Sequence, residues 1–178
     1  MSVGLDLQQL NAIACGAIAV NEAASGASGF AITGDYMPDL ITIACQLRNA
    51  NVALGGSGNG AGGFDSVGNL MVYITCQAQN MASATGSGSL VPWEPYNMLQ
   101  MWQAIDCALA QVITNIGGTV PGYFNNTVYA LMQGAICLLD EIATHGFTPG
   151  DTFYVLLNDG TGRVLTNSSE NLLLNNAP

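Results

Sequence analysis

The sequence predicts a mainly α fold: a five-helix up-and-down bundle built from helix–loop units, followed by a short C-terminal β-hairpin and tail. Two observations carry this. Five segments place large apolar residues at three- and four-residue steps, the stripe of an amphipathic helix. A cysteine lies near the middle of each, and Cys15, Cys45, Cys76, Cys107 and Cys137 are separated by 30, 31, 31 and 30 residues. A repeat of about 30 residues with one helix per unit matches no helix-pair solenoid, and sequential helices with moderate connections pack most simply antiparallel. The expected division is a helical bundle over residues 1–148 and a hairpin with tail over 149–178.

The first helix is expected from about Asp6 to Ala24, with Leu7, Leu10, Ile13, Ala17 and Val20 on one face and Asp6 suited to the positive end of the helix dipole. A Ser/Gly-rich run follows. Asp35 and Pro38 announce the second helix, because proline is tolerated in a first turn, and its stripe is Leu40, Ile43, Ala44 and Leu47, with Leu54 at its end. Asp65 or Ser66 caps the third, whose face is Met71, Ile74, Ala78 and Met81.

Two prolines in Leu90–Pro95 make a stiff, extended entry anchored by Trp93. The fourth helix lies between Tyr96 and Gly117, striped by Met98, Met101, Trp102, Ile105, Leu109, Val112, Ile113 and Ile116. The fifth runs from about Asn126 to His145, with Gly146 as a left-handed cap. Beyond Pro149 the pattern changes. Asp151–Leu157 is rich in β-formers, residues 158–162 are a turn cluster, and Arg163–Thr166 completes a hairpin. The tail then carries one apolar knot, Leu172-Leu173-Leu174.

Charge narrows the function classes. Only 8% of residues are charged, against roughly 25% in ordinary soluble domains. Lysine is absent, Arg48 and Arg163 are the only permanent cations, and the formal net charge is −10, so the chain cannot neutralise a row of phosphates. Nucleic acid and anionic membrane surfaces are excluded as partners on this reading. The N-terminus lacks the basic start and unbroken apolar run of a signal peptide, which points to synthesis in the cytoplasm.

Five constellations invite a chemical reading. The cysteine layer offers soft metal ligands, but no C-x-x-C pair occurs, and free cysteine packs as a small buried hydrophobe; mostly reduced, buried spacers are expected. Cys15, Cys45, Cys76 and Cys107 each face away from the Ile two before them, and the cysteine faces carry small residues such as Ala12, Ala19, Ala104 and Gly134. His145 sits eight residues beyond Cys137, about 12 Å along a helix, so the two form no nucleophile pair and His145 is read as a helix-end charge. Asp106 would have a raised pKa if buried, but a lone mid-helix Asp more often marks the wet edge. The carboxylate pairs Asp35/Asp39 and Asp140/Glu141 lack the further acids and histidines of a di-metal site. Gly58, Gly60 and Gly63 match G-x-G-x-x-G formally, yet a helix precedes them and the next acid, Asp65, is too close, so the stretch reads as a flexible linker.

No catalytic residue, cofactor or metal ligand is therefore assigned. Helices apolar on one face and smooth on the other have more apolar surface than one core needs. The expected function is a structural, homo-oligomeric assembly subunit of a larger particle, specifically a virion component such as a phage capsid-decorating or head–tail protein, with other structural proteins of the particle as partners. The alternative is a thiol-bearing bundle that binds a metal or a small apolar ligand between helices. The expected assembly residues are Phe153 and Val155 of the hairpin and Leu172, Leu173 and Leu174 of the tail, because a lone hairpin is marginal in water and exposes a pairing edge.

Overall fold

Each of the five apolar segments is a helix in the computed structural model: α1 Leu7–Ser25, α2 Tyr36–Ala53, α3 Val67–Thr85, α4 Met98–Asn115 and α5 Val128–His145. The structure describes residues 6–27, 32–86, 97–122 and 126–147, together with the backbone of two short strands near the C-terminus. The expected proline-rich entry with Trp93 lies outside these residues.

Local chemistry explains where the helices start. The Asp6 carboxylate accepts from the N–H groups of Gln8 and Gln9, at 2.8 and 3.1 Å. Ser66, Asn97 and Thr127 each accept from the N–H three residues on, at Asn69, Gln100 and Ala130. Each such cap satisfies a donor that has no partner within its helix and contributes about 1 kcal/mol. At α2 the side chain at the cap position, Asp35, makes no capping hydrogen bond. Asp39, one turn in, instead accepts from Thr33 N–H and Oγ1 and from Gly34 N–H. Helix α1 ends on Gly26 in the left-handed conformation. Gly146 also has positive φ, but its ψ of 166° makes the exit from α5 extended rather than left-handed.

The expected up-and-down packing is not what the chain adopts: all five helices point the same way. Gln9 at the start of α1 donates to the carbonyl of Tyr129 at the start of α5, and a Cβ on Gly16 in mid-α1 would lie 2.9 Å from Leu139 Cβ in mid-α5. With its nitrogen turned inward, the Asn11 amide donates to Asp39, so α1 and α2 start at the same end. Asn115, the last residue of α4, donates to Ala82 and Thr85 at the end of α3. Just past α4, Thr119 N–H reaches Glu141 in the last turns of α5. The third connection type agrees, since the α2–α3 loop runs back along α3 from Asn80 through Gln77 and Tyr73 to Asn69 before α3 begins.

The repeat length has a physical explanation in this arrangement. An 18-residue helix is ~27 Å long, and ten or more extended residues reach back over that distance. Connections 26–35, 54–66, 86–97 and 116–127 are each at least that long. Each connection is thus long enough to return to the end at which the next helix starts. Antiparallel packing is the shortest solution for helices joined by tight turns, and these loops are not tight.

The helices close into a ring. Each packs on its sequence neighbours, and α1 packs on α5; no other helix pair meets among the described residues. Helical geometry places the residues two and five before each cysteine, and two and five after it, on the side opposite the cysteine. All twenty such residues are buried. They stack as four layers, of which one is Leu10, Leu40, Met71, Trp102 and Met132 and the next Ile13, Ile43, Ile74, Ile105 and Ala135. The core is therefore the interior of the ring, and the cysteine faces look outward.

The chain divides into two units, Met1–Thr148 and Pro149–Pro178. In the second, β1 Arg163–Leu165 pairs antiparallel with β2 Asn171–Leu173, Val164 opposite Leu172. The expected strand 151–157, with Phe153 and Val155, lies outside the described residues, as does Leu174.

Candidate functional site

Two features of the helical ring stand apart from ordinary packing: its outer surface and one acid inside it. The outer surface is set by the cysteine register. Cys15, Cys107 and Cys137 are exposed, and Cys45 and Cys76 are half-buried, all of them free thiols. The expectation of buried spacers is thereby corrected. The cysteines themselves mark the outside of the ring, whereas of the small residues beside them Ala12 and Ala19 are half-buried and Ala104 and Gly134 are buried. Exposed Cys107, Cys137 and Cys15 belong to α4, α5 and α1, three successive members of the ring.

Thiols on the outer faces of neighbouring helices diverge. With axes ~8–10 Å apart, their Cα atoms exceed the roughly 7 Å limit for a disulfide, so no two can be bridged within one ring without backbone movement. Burial pushes the Cys45 thiol above its ordinary pKa, opposed by the nearby Arg48. Among the described residues no group of three or more His, Cys, Asp or Glu side chains is placed to hold a metal ion.

The surface around these thiols carries very little charge. Of the exposed residues on the five helices, only Glu22, Arg48 and Asp140 are charged. The rest are small, amide, hydroxyl, thiol or apolar side chains, including Tyr36, Val52 and Tyr129. No described helix is long and apolar enough to cross a membrane.

Inside the ring, polar groups fall into register. Asn21 donates to Gln46 across the α1–α2 seam at 2.7 Å, and Asn51 donates to Gln77 across the α2–α3 seam at 3.0 Å. Both asparagines lie six residues after a cysteine and both glutamines one after, so the two bonds are one repeated rung. At the α3–α4 seam the same positions hold Ala82 and Ala108, and at α4–α5 Ile113 and Leu138, all buried. Sequence reasoning overlooked the rungs, although two Asn and two Gln recurring at fixed distances from the cysteines was a readable signal.

Asp106 breaks the pattern. It is fully buried on α4, and neither carboxylate oxygen has a hydrogen-bond partner. Desolvation alone pushes its pKa up to about 8, so at neutral pH the carboxyl is protonated. The expectation of a wet edge is thus reversed. One turn earlier the indole N–H of Trp102 is also buried and unpartnered. The register of the rungs pairs a residue with the position five earlier, relative to the next cysteine, on the following helix, which puts Leu131 of α5 at the level of Asp106.

The remaining candidates have structural roles. Asp39 of the Asp35/Asp39 pair is buried and held by Thr33, Gly34 and Asn11. Asp140 is exposed, while Glu141 accepts from Thr119 N–H. His145 occupies the last turn of α5, with Nδ1 3.1 Å from Gly146 O, while Cys137 is exposed two turns away.

The glycine stretch is a packed strap rather than a flexible linker. The Gly58 carbonyl accepts from Tyr73 Oη and Gln77 Nε2, and the Asn59 carbonyl accepts from Asn80 at 2.6 Å. A Cβ on Gly60 would lie 3.0 Å from Cys76 Cβ, and one on Gly62, at φ +96°, would collide with the Asn69 carbonyl. These glycines let the backbone lie against α3, which is why no side chain serves there. The close neighbours of Gly58 and Gly60 are Arg48 and Val52 of α2 and Tyr73, Cys76 and Gln77 of α3.

Compared with known proteins, the chain matches no family model, no curated protein and no solved structure.

Proposed function

We propose that the chain is a structural subunit that assembles with copies of itself, and with other structural proteins, into a larger particle. The specific case is a virion component, such as a phage capsid-decorating or head–tail protein. One observation carries the reading: the exposed side of five helices bears only Glu22, Arg48 and Asp140 as charges. A surface evolved to face only water uses charged residues to stay soluble and to block association. Uncharged small side chains instead allow close approach at little desolvation cost, as at subunit contacts whose centres are depleted of charge.

The net charge of −10 and the scarcity of cations weigh against nucleic acid as a partner. In this reading the hairpin and tail, with Phe153, Val155 and Leu172–Leu174, act as an arm that pairs with a neighbouring subunit.

Light scattering after size exclusion, across a hundredfold concentration range and with negative-stain microscopy of the same fractions, tests the proposal. Discrete higher-order species are expected. Placing charges on the outer face, as in Cys107→Glu with Cys137→Glu, should dissolve them while helical circular dichroism is kept. A chain ending at Gly150 should retain its helices and lose the largest species. A clean monomer at every concentration overturns the proposal.

A further inference from the structure

Asp106 stands out on geometric grounds. A buried carboxyl in a folded protein is ordinarily paired with a cation or held by several donors, as Asp39 is held in α2. Asp106 has neither, and it sits on the helix that carries the largest core side chain, Trp102, whose own N–H also lacks a partner. Both lie on one helix at a spacing of four residues, so their side chains share a face.

We propose that Asp106 is a proton-operated latch on the ring: neutral in the closed form, and on losing its proton to solvent base, driving α4 away from α5 at the level of Trp102. An ionised carboxylate with no counter-charge must gain hydrogen bonds or water. The Trp102 indole N–H is an unused donor one turn away, and capturing it requires the ring to leave its packed position in the layer with Leu10, Leu40, Met71 and Met132. Admitting water requires the α4–α5 seam to part. Either route couples one proton to the packing of α4.

The groups on the elements packed against α4 do not supply a counter-charge. On α3 the titratable side chains are Tyr73, whose hydroxyl donates to Gly58 O, and Cys76, which lies against Gly60; both face the α2–α3 loop. On α5, Glu141 and His145 lie ten and fourteen residues beyond Leu131, at least ~15 Å along the helix. Asp140, Cys137 and Tyr129 are exposed. On α4 itself Cys107 is exposed on the outer face. Burial accordingly raises the acid to about 8, the pH at which the latch operates.

The inference is independent of whether copies of the chain assemble. Its test uses the full chain carrying Trp93→Phe, in which Trp102 is the only tryptophan. Infrared difference spectra against the Asp106→Asn form should show a protonated carboxylic acid at pH 6 that disappears with a midpoint near 8. Trp102 emission should shift to the red, and its quenching by acrylamide should rise at least twofold, with the same midpoint and with helical circular dichroism kept. Neither change should occur in Asp106→Asn or, should that variant fold poorly, in Asp106→Leu. An ionised carboxyl at pH 6 overturns the proposal. So does Trp102 emission that is unchanged from pH 6 to 9, or that shifts equally in the Asp106 variants.

Discussion

The α1–α3 side of the ring and the α3–α5 side solve the same packing problem with different chemistry. Between α1, α2 and α3 the seams hold amide rungs, Asn21 to Gln46 and Asn51 to Gln77, and Gln77 goes on to hold the Gly58 strap. Between α3, α4 and α5 the positions equivalent to the rungs hold Ala82, Ala108, Ile113 and Leu138. Asn115 bonds to Ala82 and Thr85 at the end of the α3–α4 seam, but Asp106 has neither oxygen partnered, where each rung amide leaves at most one atom, Gln46 Nε2 or Asn51 Oδ1, without a partner. Amide pairs fix which helix meets which and at what height, because a slipped register would bury them unpaired. Apolar seams contribute burial without that selectivity. The side with rungs therefore specifies register, and the side without them holds the group most sensitive to its surroundings.

The largest effect that separates the two sides is expected at Asp106. An acid whose folded pKa is raised keeps its proton while the unfolded chain, near 3.8, has released it. Stability then falls as pH rises between those values, by about 1.4 kcal/mol per unit, and the slope vanishes above about 8. Asp106→Leu removes this contribution, so it should stabilise the ring by about 4 kcal/mol more at pH 7 than at pH 4. Urea unfolding of both proteins at the two pH values measures this, and equal differences at both would contradict it.

Putting a rung group on the apolar side should do the reverse. Leu138→Gln faces Ile113 and buries an amide without a partner, which should cost about 3 kcal/mol by thermal unfolding. Adding Ile113→Asn to it should recover part of that loss, in imitation of the α1–α2 rung. If the double variant is no better than the sum of the singles, the seams are not equivalent.

On the paired side, Gln77→Ala leaves the Asn51 amide and the Gly58 carbonyl each short of a partner. A loss of about 2 kcal/mol is expected, with faster hydrogen exchange in the strap around Gly58–Gly63. A loss confined to global stability, with unchanged exchange there, would detach the strap from the rung. At the helix end, His145→Gln should cost at most about 1 kcal/mol by the same unfolding measurement. The smallest effects belong to the outer face. Cys15, Cys107 and Cys137 should react quickly with a thiol reagent in the native state and Cys45 and Cys76 slowly, and Cys107→Ser should change stability by less than ~0.5 kcal/mol.

The five helices were legible because each carries a long apolar stripe, and residues such as Ile13, Ile43, Ile74 and Ile105 recur in one register. Helix direction was equally written there, though less plainly. Only if the helices all run the same way do the bulky residues five before each cysteine, Leu10, Leu40, Met71, Trp102 and Met132, meet in one layer. Ser66, Asn97 and Thr127 are caps by residue type alone, whereas the choice between Asp65 and Ser66 needed the backbone to show that Asp65 turns to Asn69 instead.

What the sequence by itself determined, then, is the number of helices, their inner faces and the poverty of charge, since these follow from spacing and composition along a single chain. What only the tertiary structure decided is which way the smooth faces look and what surrounds each polar group. The cysteines are outside because five bulky faces fill the ring, and Asp106 is inside because its side of α4 is closed by its neighbours. Burial depends on the elements that pack against a residue, and an isolated helix, whatever its pattern, does not name them.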